Sequence, residues 1–300
     1  MKKRLGQVYL ALLMVGIIYS TNYVVAKFIM PRYFLPYGLI VLRVGGATLF
    51  FWILHYFSVP SVKIHAYDYG RLALCSVSGI AISQLTFFKG LSLTSAINSS
   101  LIMTTSPIMV LIASVFMGRE LLTRHKAIGI LMGLSGAFML IGGYNFTFST
   151  ETVVGDLLIL ANALAYGIYL VQVKPLMRHY HSLTVVKWVF FFGFWMVLPF
   201  GAAELGQVDW DGVPGYAYGV VAFIILGVTV ITYLFNAWSL GQVNASVVGS
   251  FIYLQPVLTG ILTASLGQES FTFQKMLYAL LVFWGVYLVG RPTRPKLVRL

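Results

Sequence analysis

Apolar residues in this chain run in long stretches, not in the alternating or every-third-position stripes of a soluble protein. Ten such stretches, each near the roughly 20 residues that span bilayer hydrocarbon, fall at about 7–28, 36–56, 70–90, 97–117, 125–143, 155–174, 183–203, 216–236, 246–266 and 275–290. Polar residues gather in the short gaps between them. The longest gaps, around 57–69, 144–154 and 204–215, cannot hold a soluble domain. The pattern predicts an all-α membrane protein of ten transmembrane helices. Lys2-Lys3-Arg4 before the first stretch resembles the start of a signal peptide. That stretch runs on through Asn22 to Lys27 without a convincing cleavage site, so it is read as the first transmembrane helix.

Composition points the same way. The chain is 59% hydrophobic and 9% charged, against about 25% charged in soluble domains, and its mean hydropathy is +0.88. Cys75 is the single cysteine, which excludes a disulfide and a Cys-based metal site. No metal or cofactor is expected.

The net charge of +12 would suit nucleic acid if it were spread over one surface, but it is sorted by side. With the N-terminus inside, Lys2, Lys3, Arg4, Lys63, Arg71, Arg119, Arg124, Lys126, Lys174, Arg178, Lys187, Arg291, Arg294, Lys296 and Arg299 face the cytoplasm. Only Lys27, Arg32, Lys89 and Lys275 fall outside, beside Glu151, Glu204, Asp209 and Asp211. This is the bias that sets orientation in membranes. It predicts cytoplasmic termini, contact with anionic membrane lipid, and no nucleic-acid partner.

The chain also repeats itself at an offset of 149 positions. Pro107, Gly118, Glu120 and Lys126 recur as Pro256, Gly267, Glu269 and Lys275; Leu91, Ala96, Ile112 and Gly136 recur as Leu240, Ala245, Ile261 and Gly285. Two units follow, 1–147 and 148–300, of five helices each. An odd number of spans turns the second unit upside down, the build of many secondary transporters. The charge bias agrees, because the second copy of the Arg119–Lys126 loop has lost most of its basic residues.

Candidate functional residues are polar groups inside the spans, which cost free energy and by default mark a pathway. Asn22, Gln84, Asn98, Asn162, Gln172, Asn236 and Gln255 form one set; Tyr19, Tyr23, Tyr166, Tyr169, Tyr233 and Tyr253 form another. Together they suit a cavity for a small organic molecule, though each alone can equally bond helix to helix. Arg43, about seven residues into the second span, can hold an anionic substrate group or a freed backbone carbonyl. Pro107 and Pro256 interrupt apolar helices, loosening the carbonyls of Met103, Thr104, Ile252 and Tyr253, and read as hinges or cavity lining.

Lys27 and Lys89 sit near outer helix ends and can snorkel. All eight acidic residues are placed in loops or at helix ends, Asp156 as a charge at a helix start, so no mid-membrane carboxylate offers a proton or sodium site. Gly129, Gly133 and Gly136 form a small-residue face for helix packing. Gly133-Leu134-Ser135-Gly136 looks like an intramembrane protease motif, but all five histidines fall in loops, which removes the base it needs. Asn145-Phe146-Thr147 is a glycosylation sequon read as chance.

Gly90-Leu91, Ser95-Ala96-Ile97-Asn98-Ser99-Ser100, Pro107 and Gly118-Arg119-Glu120-Leu121 resemble the EamA-type transporters of the drug/metabolite transporter superfamily. The stretch from Ala237 to Gly267-Gln268-Glu269 is similar to the second copy of that domain, and Gly155-Asp156-Leu157-Leu158 to its opening. The resemblance implies ten helices in inverted repeats, cytoplasmic termini, a central cavity between the halves, and fifth and tenth helices set apart as scaffold. It also implies export of amino acids or other small metabolites, here across a bacterial inner membrane, by a monomer or homodimer. A lipid flippase or passive facilitator of the same fold is the alternative. A membrane-embedded transferase would need paired aspartates or an intramembrane histidine.

Overall fold

The computed structural model describes residues 2–60, 62–140, 150–240, 251–267 and 272–290. Ala245, the sequon at Asn145, the Gln268-Glu269 loop and the basic C-terminal residues lie outside them. Every described segment of regular structure is helical, as a chain in lipid requires, because a helix satisfies its own backbone.

The helices are α1 (Lys2–Ile29), α2 (Pro36–Ser58), α3 (Ala66–Ser76), α4 (Ser83–Leu93), α5 (Ala96–Met103), α6 (Ser106–Phe116), α7 (Arg124–Leu140), α8 (Thr150–His179), α9 (Ser182–Gly206), α10 (Gly215–Ala222), α11 (Thr232–Leu240), α12 (Leu254–Ser265) and α13 (Phe273–Gly290). The apolar stretches fall on these helices, except that the first part of the stretch at 246–266 lies outside the described residues. Among the described residues, six helical segments are each long and apolar enough to cross a bilayer: Gly6–Ile29, Pro36–Ser58, Ala66–Leu93, Glu151–His179, Ser182–Gly206 and Gly215–Asn236. The α5–α6 pair forms a seventh only as a span bent by 43°.

Starts and stops follow local chemistry. Pro36 opens α2, where its missing N–H costs nothing. Ser95 caps α5 by accepting from the Asn98 N–H at 3.0 Å. Gly118 after α6 and Gly267 after α12 both take φ +65°, the left-handed stop that glycine reaches without a Cβ clash.

The bend before α6 corrects the placement of Pro107. The proline is not mid-helix; it is the second residue of α6, and the helix breaks just before it. The hydroxyls of Thr104, Thr105 and Ser106 fold back onto the carbonyls of Leu101, Ile102 and Met103 at 2.6–2.7 Å, capping the broken turn from within. Pro256 likewise opens α12, after the 3₁₀ turn Phe251–Tyr253.

Packing relies on small residues. A Cβ at Gly129 would lie 2.6 Å from the Gly285 carbonyl, and one at Gly136 would lie 2.9 Å from the Tyr278 carbonyl, so α7 and α13 touch backbone to backbone. In α2 and α9, Gly45 receives the ring of Phe194 and Phe51 packs edge-on to Phe190 at 5.0 Å. A Cβ at Gly90 of α4 would lie 2.8 Å from the Gly155 carbonyl, and one at Gly155 of α8 would lie 2.9 Å from the Gly90 carbonyl. The outward faces carry Leu49, Phe116, Trp195, Phe200, Ile261 and Trp284, exposed yet apolar as lipid contact demands.

Candidate functional site

Two wide turns shape the middle of the molecule. Between α3 and α4, and between α10 and α11, the helix opens into π-helical segments, Val77–Ile82 and Phe223–Ile231. The Ser83 N–H reaches the Ser78 carbonyl five residues back, and the Thr232 N–H reaches that of Gly227. Both donor and acceptor pairs are related by the 149-residue offset. Such segments are rare and concentrate at functional sites. The sequence carries no distinct signature for them beyond one glycine in each, Gly79 and Gly227.

A polar and aromatic cluster gathers against these segments. Arg43 of α2 donates from Nη1 to the Gln84 Oε1 at 2.9 Å and from Nε to the Thr229 Oγ1 at 3.1 Å, and lies 5.4 Å from the Phe88 ring centroid. Gln84 follows the first π segment, and Thr229 lies within the second. The Arg43 contacts are therefore side chains, not the freed carbonyls that the sequence left open. Tyr19 of α1 lies within electrostatic reach of Arg43, Tyr23 and Tyr166. Tyr166 and Tyr169 have ring centroids 6.0 Å apart, and both lie within electrostatic reach of Tyr233 of α11, whose hydroxyl donates to the Ser182 carbonyl at 3.3 Å. The Tyr169 ring lies over Gly79, where a Cβ would sit 2.5 Å from it. Tyr166 keeps 39% of its surface accessible amid these neighbours.

Tyr19, Arg43, Gln84, Tyr166, Tyr169 and Tyr233 are thus brought together from both halves of the sequence. The other candidates sit elsewhere. Asn22, three residues beyond Tyr19, is buried and its Oδ1 has no protein partner. Asn98 donates to Asp156 at 3.3 Å, near the Lys27 end of the bundle. Tyr253 packs edge-on to Phe283 at 5.0 Å, and Asn236 is half-buried in α11. Asn162 accepts from Ser83 at 2.7 Å as a bond between helices.

Two placements are corrected. Asp156 is not at a helix start. It is 1% exposed, six residues past the start of α8, and accepts from the Thr94 hydroxyl and from Asn98. His55 is not in a loop: it is buried in the last turn of α2, bonded to Thr184 at 3.0 Å and to Lys187 at 3.1 Å.

Two ends of the bundle can be distinguished. At the Lys27 end, Lys27 donates to the carbonyls of Leu91 and Thr94. Ser20 and Tyr23 bond to Gln255 at 3.2 and 3.4 Å, and the Gly38 N–H bonds to Glu204 at 2.8 Å. At the His55 end, a cavity of about 220 Å³ lies between α3 and α8, lined by Arg71, Arg119 and Gln172. The Gln172 Oε1 accepts from Ser78 at 3.0 Å, which leaves its NH₂ as a donor beside the two guanidiniums.

The apolar helical bundle with this interior polar cluster defines a multi-pass integral membrane protein. The EamA-like transporter family model matches residues 6–142 and again 153–291, so the chain belongs to that family. It is 27% identical over 292 residues to the uncharacterized transporter YetK of Bacillus subtilis, covering 95% of this chain and 87% of that protein. It is 25% identical to the uncharacterized inner membrane transporter YicL of Salmonella typhimurium, over 96% of each chain. A protein of Streptantibioticus cattleyicolor named "Probable terminal-alkyne amino-acid exporter" is 29% identical over 199 residues, 64% of this chain and 63% of that one. One solved crystal structure superposes with a TM-score of 0.62 at 18% identity, covering 95% of this chain and 96% of the other, which supports the fold.

Proposed function

We propose that the protein is a secondary transporter of small organic metabolites, an exporter of amino acids or related zwitterions working by alternating access in a bacterial inner membrane. The carrying observation is the cluster around Arg43, built from α1, α2, α4, α8 and α11 against two π segments at matched positions. Two of the guanidinium nitrogens, Nε and Nη1, are engaged, and Nη2 makes no hydrogen bond among the described residues. That edge meets a substrate carboxylate, and the tyrosine faces meet an ammonium group. Nothing in the cluster provides an attacking nucleophile with a base beside it, which favours passage over chemistry.

In this reading, ten spans form two inverted five-helix units, 1–147 and 148–300, with both termini cytoplasmic. The reciprocal contacts support it: the Gly129–Gly285 approach maps onto the Gly136–Tyr278 approach under the 149-residue offset. The Lys27 end is then external, and it is closed. Gly155 of α8 is packed there on Gly90 of α4, a Cβ on either lying within 2.9 Å of the other's carbonyl. The cavity between Arg71, Arg119 and Gln172 forms an anion-collecting vestibule on the cytoplasmic side. The cluster, Pro107 and Pro256 form the cavity and its hinges; Tyr19, Arg43, Gln84, Tyr166, Tyr169 and Tyr233 are its candidate contacts, with the buried Asn22 beside them on α1. The test is flux of a labelled amino-acid panel in proteoliposomes under imposed pH and voltage gradients. No signal for any zwitterion, with phospholipid scrambling instead, would replace export by lipid translocation.

A further inference from the structure

The buried carboxylate of Asp156 has no place in the substrate cluster, yet it joins the two halves of the chain. From α8 it accepts the Thr94 hydroxyl and the Asn98 amide, at the N-terminus of α5, where the helix dipole favours negative charge. Thr94 is held from its other side, because its carbonyl accepts from Lys27 of α1. Among the described residues, the charged groups within electrostatic reach of Asp156 are Lys27 on α1 and Lys275 on α13. The Gly90–Gly155 backbone contact lies one residue away, so the carboxylate sits on the closed seam between α4 and α8.

The internal repeat supplies no second carboxylate for such a clasp at the other end. Thr94 and Asn98 have Val243 and Val247 as counterparts, and Asp156 has Tyr9, because the first helices of the two halves match at an offset of 147 (Tyr19 on Tyr166, Lys27 on Lys174); none of the three is a carboxylate. We propose that Asp156 is a proton-binding site that controls the external gate: ionised, it clasps Thr94 and Asn98 and holds the outer seam shut, and a proton on it releases the seam. An ionised carboxylate accepts charge-assisted hydrogen bonds of roughly twice the strength of neutral ones, and protonation forfeits that difference. The bond broken is the carboxylate's acceptance from Thr94, and the proton comes from the external medium. External acid therefore favours the outward-open state, while cytoplasmic pH has no equivalent carboxylate in the other half of the repeat.

The proposal rests on the alternating-access reading, but its test reads a distance within the protein and needs no substrate. Spin labels are placed at Ser92→Cys and Glu151→Cys, across the seam, in a Cys75→Ser background of the full chain in lipid nanodiscs. Between about pH 8 and pH 5 the distance distribution should gain a longer component. In Asp156→Asn that component should be present at both pH values with its pH response lost, and in Asp156→Glu the response should persist. A distance independent of pH in the wild-type protein, or a full response in Asp156→Asn, overturns the proposal. If neither Asp156 variant reaches the membrane, Thr94→Val decides: a longer component raised at least threefold at neutral pH supports the clasp, and an unchanged distribution rejects it. Loss of transport with an intact pH-dependent distance would count against the substrate reading alone.

Discussion

Arg43 and Gln84 meet through one hydrogen bond of 2.9 Å, from Nη1 to Oε1, linking the second span to the helix that follows the first π segment. The bond fixes the orientation of both groups. With its oxygen committed to Arg43, Gln84 keeps only its NH₂ for any other partner. A charged donor with a neutral acceptor keeps its charge, so the cluster retains a net positive centre among tyrosines.

Gln84 should therefore act through Arg43. Gln84→Leu removes the acceptor without touching the tyrosines, leaving the guanidinium less well held. Transport of zwitterions should weaken mainly through a raised KM, because Arg43 loses its aim while its charge remains. Flux measured across a concentration series checks this; an unchanged KM would show that the bond has no bearing on substrate.

The broken helix before Pro107 is braced from within by three hydroxyls, so its bend does not depend on proline alone. Pro107→Ala and Pro256→Ala should slow transport several-fold while leaving the amount of folded protein in the membrane nearly unchanged, as expected for a hinge. Initial rates normalised to protein content test the pair. Wild-type rates in both would make the prolines packing devices.

The contact between α7 and α13 should be a matter of stability. Gly285→Ala drives a methyl to 2.6 Å from the Gly129 carbonyl, whereas Gly219→Ala meets nothing within 4 Å. Overpacking of this kind costs about 1–3 kcal/mol. Thermal unfolding in detergent should show a lowered Tm for Gly285→Ala and no change for Gly219→Ala. Equal effects would mean that the helices separate more readily than their backbone contact implies.

The six long spans, and the bent α5–α6 pair, were legible because lipid leaves the chain little choice: a span must be apolar, helical and long. The cluster was legible in its members more than in its assembly. Tyr19, Arg43, Gln84 and Tyr166 stand out as polar or aromatic groups in apolar runs. The contact of Arg43 with Thr229, 186 positions away, depends on how helices pack, and local pattern does not encode that. The π segments were invisible because an extra residue in a turn leaves no compositional mark. Asp156 was misread for a related reason. Gly-Asp before an apolar run looks like a helix start, but α8 begins earlier, at Thr150, and only the approach of α5 buries the carboxylate.

Orientation is open to direct test. The charge bias puts Arg124 in the cytoplasm and Asp209 outside. In a Cys75→Ser background, a membrane-impermeant thiol reagent added to intact cells should modify Asp209→Cys and spare Arg124→Cys. The opposite labelling would invert the molecule and make the Lys27 end cytoplasmic.

The sharpest prediction concerns charge selectivity. Arg43 lies within a span, is held by two neutral side chains, and has no acidic partner among the hydrogen bonds it makes. Its field in a poorly polarisable interior attracts a carboxylate and repels a permanent cation. Arg43→Gln keeps a hydrogen-bonding side chain but removes that field. A hydrogen bond to a charged group contributes about 1.5–3 kcal/mol, so amino-acid flux at limiting concentration should fall by about 10- to 100-fold. Flux of a quaternary ammonium compound, if measurable at all, should hold or rise. The two fluxes are compared in the same proteoliposomes with wild-type protein alongside. Amino acids giving no signal in either protein, with the cation carried equally by both, would mean that Arg43 serves the fold and that the substrate is not a zwitterion.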